Sequence, residues 1–373
     1  PCWNSYTAAM IGDHASAALA DAYVKGIRNF DAAKAYEGMR LNAFSTPYLA
    51  KDYRDGKGRR AIRSYMDNGY IPLEDMVEEA FHANEQTSRT LEYAYDDYAV
   101  AQMAKALHDS CQDAALRQKY LEDYNDLMRR SENWRNVINP ATGWADGRYE
   151  NGKWENNEDL VHRKSYITEG ATCHYTWYVP QNPEGLFEVI RNSKPMDKQE
   201  KQIEKAERKM EKKGETPVRN EKVIARLDKM FDNGWYWHGN EPCHQVAYLY
   251  DAAGAPEKTQ ERVHHILQTE YNDTPGGLSG NDDAGQMSAW YVFSSIGFYP
   301  VCPGTPYYYI GTPSFDKVTL NLENGRKFIL SADRQHMDDY LIQSLTLNGK
   351  PLADYRLSHQ QILTGGELHF QMK

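Results

Sequence analysis

The sequence predicts a mainly helical fold, with helical hairpins arranged as a toroid over residues 1–303 and an antiparallel β region over 304–373. Three observations carry this. Before residue 300, apolar residues recur at helical spacing in most segments. Gly-, Pro-, Asn- and Asp-rich connections separate these segments, so helix must pack on helix through short or elaborate loops. After Pro303 the pattern changes to short alternating runs, often β-branched or aromatic, between turn signals.

The elements follow in order. Ile11, Ala15, Ala18, Leu19, Ala22, Tyr23 and Ile27 make one apolar stripe, and Leu91, Tyr95, Tyr98, Ala99, Met103, Ala106 and Leu107 make another. Helices are also expected over 112–137, 223–231, 243–253 and 260–267. Residues 196–221, MDKQEKQIEKAERKMEKKGETPVRNE, alternate acids and bases. Good helix formers predict an exposed charged helix there, ending near Gly214 and Pro217, as a solvated excursion. Strands are expected over 307–310, 317–321, 327–331, 342–347 and 367–372. Glu323-Asn324-Gly325 and Asn348-Gly349-Lys350 supply turns between them.

A chain of 373 residues with net charge −10 can bury a large core, and that charge argues against a nucleic-acid partner. No apolar run is long enough to span a membrane. The five cysteines lack CxxC spacing, which argues against a zinc ribbon or a disulfide scaffold. The chain opens on PCWNSYTAAM, without an initiator Met or a signal-peptide pattern, and is expected to be a piece of a longer or processed protein.

Three constellations carry chemistry. In GGLSGNDDAGQMSAWYVFSSIGFYPVCP (276–303), Asp282 and Asp283 follow a Gly-rich turn and precede an apolar helix. Carboxylates at a helix N-terminus are favoured in their ionised form, which suits a general base. Asp is equally a preferred N-cap, and spacing alone favours capping. In SYITEGATCHYTWYVP (165–180), Glu169 precedes His174, Tyr175, Trp177 and Tyr178. An apolar surround penalises the charged form of a carboxyl group, the tuning a general acid needs; a surface Glu at a turn has the same pattern. In WYWHGNEPCHQVAYLYDAAG (235–254), Asn240 and Glu241 offer hard oxygens of the kind calcium prefers. Glu241 equally fits the first turn of a helix started by Pro242. His238 and His244 are poor calcium ligands without zinc-type spacing. Trp177, Trp235, Trp237 and Trp290 are packing residues by default, and their clustering near these carboxylates suggests sugar-stacking platforms.

HGNEPCHQVAYLYDAAG, GNDDAGQMSAWYVFSSIGFYPVCPG and TEGATCHYTWYVP together resemble glycoside hydrolase family 92, the calcium-dependent exo-acting α-mannosidases. TLEYAYDDYAVAQMAKAL (90–107), the GYIP segment (69–72) and the tail from VTLNLENGRKFIL onward resemble the same family. Only the charged segment 196–221 looks like an insertion. The resemblance implies an (α/α)6 toroid packed on a β-sandwich and hydrolysis of a mannose-containing glycan with inversion. It places the general acid on Glu169 and the general base on Asp283, with Asp282 beside it. Two positions before Asp283, where some members carry an acid, this chain has Asn281. Asn240, Glu241 and Asn281 fall in the region that holds Ca2+ and lines the mannose. Trp237 and His238 fall on the aglycone side, and Trp177 near the sugar. The family's protein is about twice as long, so an N-terminal half or a second chain is expected as partner, in a secreted, periplasmic or cell-surface setting. Inversion needs room for a water, so the carboxyl groups of Glu169 and Asp283 are expected roughly 6.5–9.5 Å apart. A different inverting glycosidase, acting on glucosides or a mannosyl phosphate, and a non-catalytic carbohydrate-binding fragment remain as alternatives.

Overall fold

The structure, a computed structural model, describes residues 10–45, 58–77, 81–216 and 219–373; Cys2 and Pro217 lie outside them. By backbone proximity the described residues up to Lys194, with Pro303–Thr305, form one compact unit, and Pro195–Cys302 with Pro306–Lys373 form another. The change from helices to strands near residue 303 therefore falls inside the second unit.

The first unit is built around the helix Gln86–Ser110, which is buried along most of its length although eight of its eighteen buried residues are polar or charged. Burial of charge demands partners. Asp97, fully buried, accepts from Arg130 Nε and Nη2 (2.9 and 3.0 Å), Arg59 Nη1 (2.6 Å) and the Tyr65 hydroxyl (2.9 Å). The helices His14–Val24, Ala32–Phe44, Ile62–Asn68 and Ala114–Arg130 accompany it. Asp31 and Asp113 cap two of these by accepting from Lys34 N and Leu116 N. Of the predicted stripe, Ile11 and Tyr23 are buried, but the rest of the first helix's buried face is Ser16, Ala17 and Ala20, while Ala15 and Ala18 are exposed. An alanine-rich helix gives little contrast between faces, and Ser16 turns inward because its hydroxyl donates to Asp13.

In the second unit the helices Lys198–Lys212, Glu221–Asp232, Pro256–Thr269 and Gln286–Ile296 precede the strands. The segment expected as one helix over 243–253 is instead two 3₁₀ turns, Glu241–Cys243 and Val246–Tyr248, leading into Leu249–Ala253. Short i→i+3 bonds, such as His244 N to Glu241 O (2.9 Å), tighten the chain after Pro242. Five strands pair in the order Lys317–Asn321, Lys327–Asp333, Gly366–Met372, Ile342–Leu347, Lys350–Pro351. Antiparallel pairing dominates, but Gly366–Met372 runs parallel to Lys327–Asp333. Alternation puts Phe328, Leu330 and Ala332 inside with Leu345, Leu368 and Phe370. Phe293 and Ile296 pack against this core, while Trp290 of the same helix packs with Tyr248, Val263, Ile266 and Tyr299. The helix Gln286–Ile296 is thereby pinned on two sides, which fixes the turn that precedes it.

Candidate active site

Two loops of the second unit carry the Asn240–Glu241 and Asn281–Asp283 segments. They meet at Gly239 and Gly280. A Cβ on Gly280 would stand 2.3 Å from Gly239 O, and one on Gly239 would stand 2.8 Å from Ser279 O. No side chain fits at either position, so the two functional segments begin from touching backbones. Trp237 is 45% exposed, and its indole nitrogen lies over Gly239, within 2.6 Å of where a Cβ would be.

His238, expected on the aglycone side, is fully buried. Tyr271 donates to Met287 O (3.1 Å), so it accepts from His238 Nε2 (2.6 Å), and His238 Nδ1 then accepts from Tyr236 (2.7 Å). Burial, with neighbouring His244, lowers the His238 pKa to about 2, which keeps this tautomer neutral. His244 follows the same logic. Its Nε2 donates to His238 O (3.1 Å), leaving Nδ1 to accept from Gln286 (3.2 Å). Burial lowers its pKa to about 4, against the opposing pull of the His238 carbonyl and the Asp283 charge. Trp290 donates to His244 O (2.9 Å) and packs 4.4 Å from the His238 ring. The two histidines thus form a neutral support beneath the loops.

The adjacent aspartates differ. Asp282 Oδ1 accepts from both Ser288 N and Ser288 Oγ (2.9 Å each), which ties it to the first turn of the helix. Asp283 is exposed and left-handed (φ 43°), followed by Ala284 (φ 59°) and Gly285 (φ 98°). Its charge reaches His244.

Glu169 belongs to the first unit. Its loop is moored to the start of the helix Gln86–Ser110: Thr87 N and Ser88 N donate to Tyr166 O, Glu85 N donates to Ser165 O (2.9 Å), and Thr168 N donates to Ser88 Oγ (2.9 Å). These bonds consume backbone donors that a helix N-terminus leaves open. Upstream, Asp146 accepts from Asn139 Nδ2 and from the N–H groups of Gly147, Asn156 and Asn157, which shapes the loop 139–159. Glu169 is also left-handed (φ 51°), and its side chain is 42% exposed rather than enclosed by aromatics. The aromatics that follow it point into the core. Trp177 is fully buried, edge-on to Trp144 at 6.2 Å, so no sugar reaches it as it stands.

Sequence reasoning missed His82. It is buried and stands between two carboxylates, with Nδ1 3.1 Å from Glu85 Oε1 and Nε2 3.6 Å from Glu169 Oε1. The partners are 87 positions apart in the chain, and no local pattern announces the pair. Also unforeseen is a buried acidic group in which the Tyr175 hydroxyl donates to Glu92 (3.4 Å) and Asp13 N donates to Asp96 (2.8 Å).

Among the described residues, no three His, Cys, Asp or Glu side chains converge as a metal centre. The oxygens of Asn240, Glu241 and Asn281, on loops in backbone contact at Gly239 and Gly280, fit a hard cation in donor type.

The profile of the glycosyl hydrolase family 92 catalytic domain matches residues 1–373. An uncharacterized secreted glycosidase of Arthroderma benhamiae is 29% identical over 390 residues, covering 97% of this chain and 45% of its own length. A solved family GH92 α-mannosidase from Bacteroides thetaiotaomicron is 35% identical with a TM-score of 0.78, over 98% of this chain and 42% of its own. That enzyme has also been solved with mannoimidazole, giving 34% identity and a TM-score of 0.78 over 98% of this chain and 44% of the other. An inverting family GH92 mannosidase of the same organism is 31% identical with a TM-score of 0.80, over 100% of this chain and 47% of its own. The chain spans less than half the length of these relatives.

Proposed function

Because the chain belongs to glycosyl hydrolase family 92, we propose that it removes terminal α-linked mannose from glycans by hydrolysis with inversion at the anomeric carbon. The observation that carries this reading is the match along the entire chain, with the expected acid and base both presented on exposed left-handed loop positions. The solved relatives are mannosidases, one of them inverting, and one binds mannoimidazole.

In the reaction, Glu169 donates its proton to the glycosidic oxygen as the bond from C1 to that oxygen breaks. Asp283 accepts a proton from the water that attacks C1 from the opposite face. The products are mannose and the free alcohol, and solvent returns the proton from Asp283 to Glu169. Asp282 holds the turn that presents Asp283, through Ser288. Trp237 offers an exposed aromatic face to the departing sugar. Asn240, Glu241 and Asn281 would hold a calcium ion, which when bound orients the sugar hydroxyls and stabilises charge on them. The likeness to a secreted glycosidase supports an extracytoplasmic site of action; no helix among the described residues is long and apolar enough to cross a membrane.

The test is a panel of α-mannosides, α-glucosides and a mannosyl phosphate, presented to the protein as it is naturally produced. Mannoside hydrolysis is expected, with β-mannose as the first product seen by NMR. EGTA should abolish it, and calcium but not zinc should restore it. Hydrolysis confined to glucosides or to mannosyl phosphate would move the substrate class. Binding without hydrolysis would make the protein a carbohydrate-binding one. Activity that survives exhaustive chelation would remove the calcium.

A further inference from the structure

Among the described residues, His82 is the one imidazole placed between two carboxylates of which one is the proposed acid. Its side chain is 5% exposed, in a loop that precedes the helix Gln86–Ser110. Arg89 Nη2 donates to its carbonyl (2.6 Å), and the Phe81 ring packs edge-on at 4.8 Å. Glu85 has only acceptors to offer when ionised, so the bond at 3.1 Å is donated by His82 Nδ1. That leaves Nε2, which is buried and meets no hydrogen-bond partner among the described residues, aimed at Glu169 Oε1 at 3.6 Å. A buried polar atom without a partner is costly and calls for an explanation. The separation is slightly beyond a hydrogen bond, as catalytic contacts often are before substrate binds. Both carboxylates that bracket the ring sit at strained backbone: φ is 50° at Glu85 and 51° at Glu169. Such outliers persist only where the surroundings over-determine them.

We propose that His82 is a positioning residue for Glu169: its ring, fixed by Glu85, presents Nε2 to the Glu169 carboxyl group and holds there the proton that the acid donates. With His82 neutral, protonated Glu169 donates to Nε2; with His82 protonated, Nε2–H donates to the Glu169 carboxylate. Either arrangement keeps one proton between the two groups and the acid in one rotamer. When the proton passes to the glycosidic oxygen, Glu169 is left as carboxylate and His82 as neutral imidazole, and solvent resupplies the proton. Among the described residues, the charged groups facing the ring are Glu85 and Glu169, with Arg89 held to its backbone.

This rests on Glu169 being the acid, and the experiment separates the two ideas. Turnover by the natural protein is compared on an α-mannobiose and on 2,4-dinitrophenyl α-mannoside, whose leaving group departs without protonation. His82→Ala is expected to lower kcat on the mannobiose by about tenfold or more while leaving the dinitrophenyl substrate within about threefold and KM little changed. His82→Gln, which keeps an acceptor toward Glu169 and a donor toward Glu85, should recover part of the loss; it carries the comparison if the alanine variant does not fold. Equal loss on both substrates, or none on the mannobiose, overturns the proposal. Glu169→Gln must show the same leaving-group split, more strongly. If it does and the His82 variants do not, only the positioning role falls. If Glu169→Gln shows no split, the acid assignment falls and the proposal with it.

Discussion

Asp282 and Asp283 are neighbours with the same side chain and different surroundings. Asp282 accepts two hydrogen bonds from Ser288 and serves the helix; Asp283 stands exposed at a left-handed position within reach of neutral His244. Our proposal therefore gives the base role to Asp283 rather than to Asp282. Asp283→Asn and Glu169→Gln are each expected to cut turnover on mannobiose by about two or more orders of magnitude, with thermal midpoints near that of the native protein. Asp282→Ala should act mainly on stability, by about 0.5–2 kcal/mol, as the loss of a side-chain acceptor at a helix N-terminus does. Steady-state kinetics beside thermal melts separate these outcomes. Near-normal turnover in either of the first two variants removes that residue from its role. The same contrast applies to His238, which the family resemblance implies on the aglycone side and the structure commits to two tyrosines.

Among the elements, the helix Lys198–Lys212 departs furthest from its reading as a solvated excursion. Most of it is exposed, and Asp197 caps it by accepting from Glu200 N (3.0 Å). Its inner face is nevertheless an ionic anchor on the helix Glu221–Asp232. Glu200 and Arg226, both fully buried, share two bonds of 3.0 and 3.1 Å, and Lys222 reaches Glu204 at 3.0 Å. A run of charges looks uniform in sequence, but helical spacing turns Glu200 inward, where a partner waits. Removing one member strands the other. Glu200→Ala should destabilise the protein by about 3–5 kcal/mol, whereas Glu200→Met with Arg226→Leu should be near neutral or stabilising. Chemical denaturation measures both; a mild effect of the single variant would mean that the pair is hydrated in solution. Mannoside turnover should survive the double change, because the anchor touches none of the proposed site residues.

At the scale of the molecule, buried carboxylates link stability to pH. Burial pushes Asp96 up to about 8, with the charge of Arg59 opposing and those of Asp13 and Glu92 adding. Between the ordinary carboxylate value and about 8, the folded protein keeps a proton that the unfolded chain releases. This contribution is therefore fully present at low pH and is lost as pH rises through that window. Asp96→Asn, which keeps an acceptor for Asp13 N, should flatten the decline by on the order of a few kcal/mol. Unfolding free energies at pH 5 and pH 8 check it; an unchanged slope would show that Asp96 is ionised in the folded protein.

What was legible in the sequence follows from the range of the forces. Strands at Tyr307–Ile310, Lys317–Asn321 and Ile342–Leu347 appear where alternation and turn residues place them, and the helices from Gln86 and from Pro256 follow their stripes. These patterns are local, set by periodicity and capping within one element. The Gly-flanked carboxylate motifs were legible for the same reason: each is a short contiguous turn. Partnerships between distant segments were not. The parallel pairing of Gly366–Met372 with Lys327–Asp333, the backbone contact of Gly239 with Gly280, the inward turn of Glu200 and the enclosure of Trp177 each depend on what packs opposite. His82 is the clearest case. In the sequence it is a histidine before a helix; only the docking of the loop 165–168 on that helix sets Glu169 against its ring. The sequence alone determined most of the element types, the family and the residues able to do acid and base chemistry, because these are properties of residue kind and short-range order. The tertiary structure decided which side chains are held, buried or exposed, because those depend on long-range packing and on the cost of leaving buried charge without a partner.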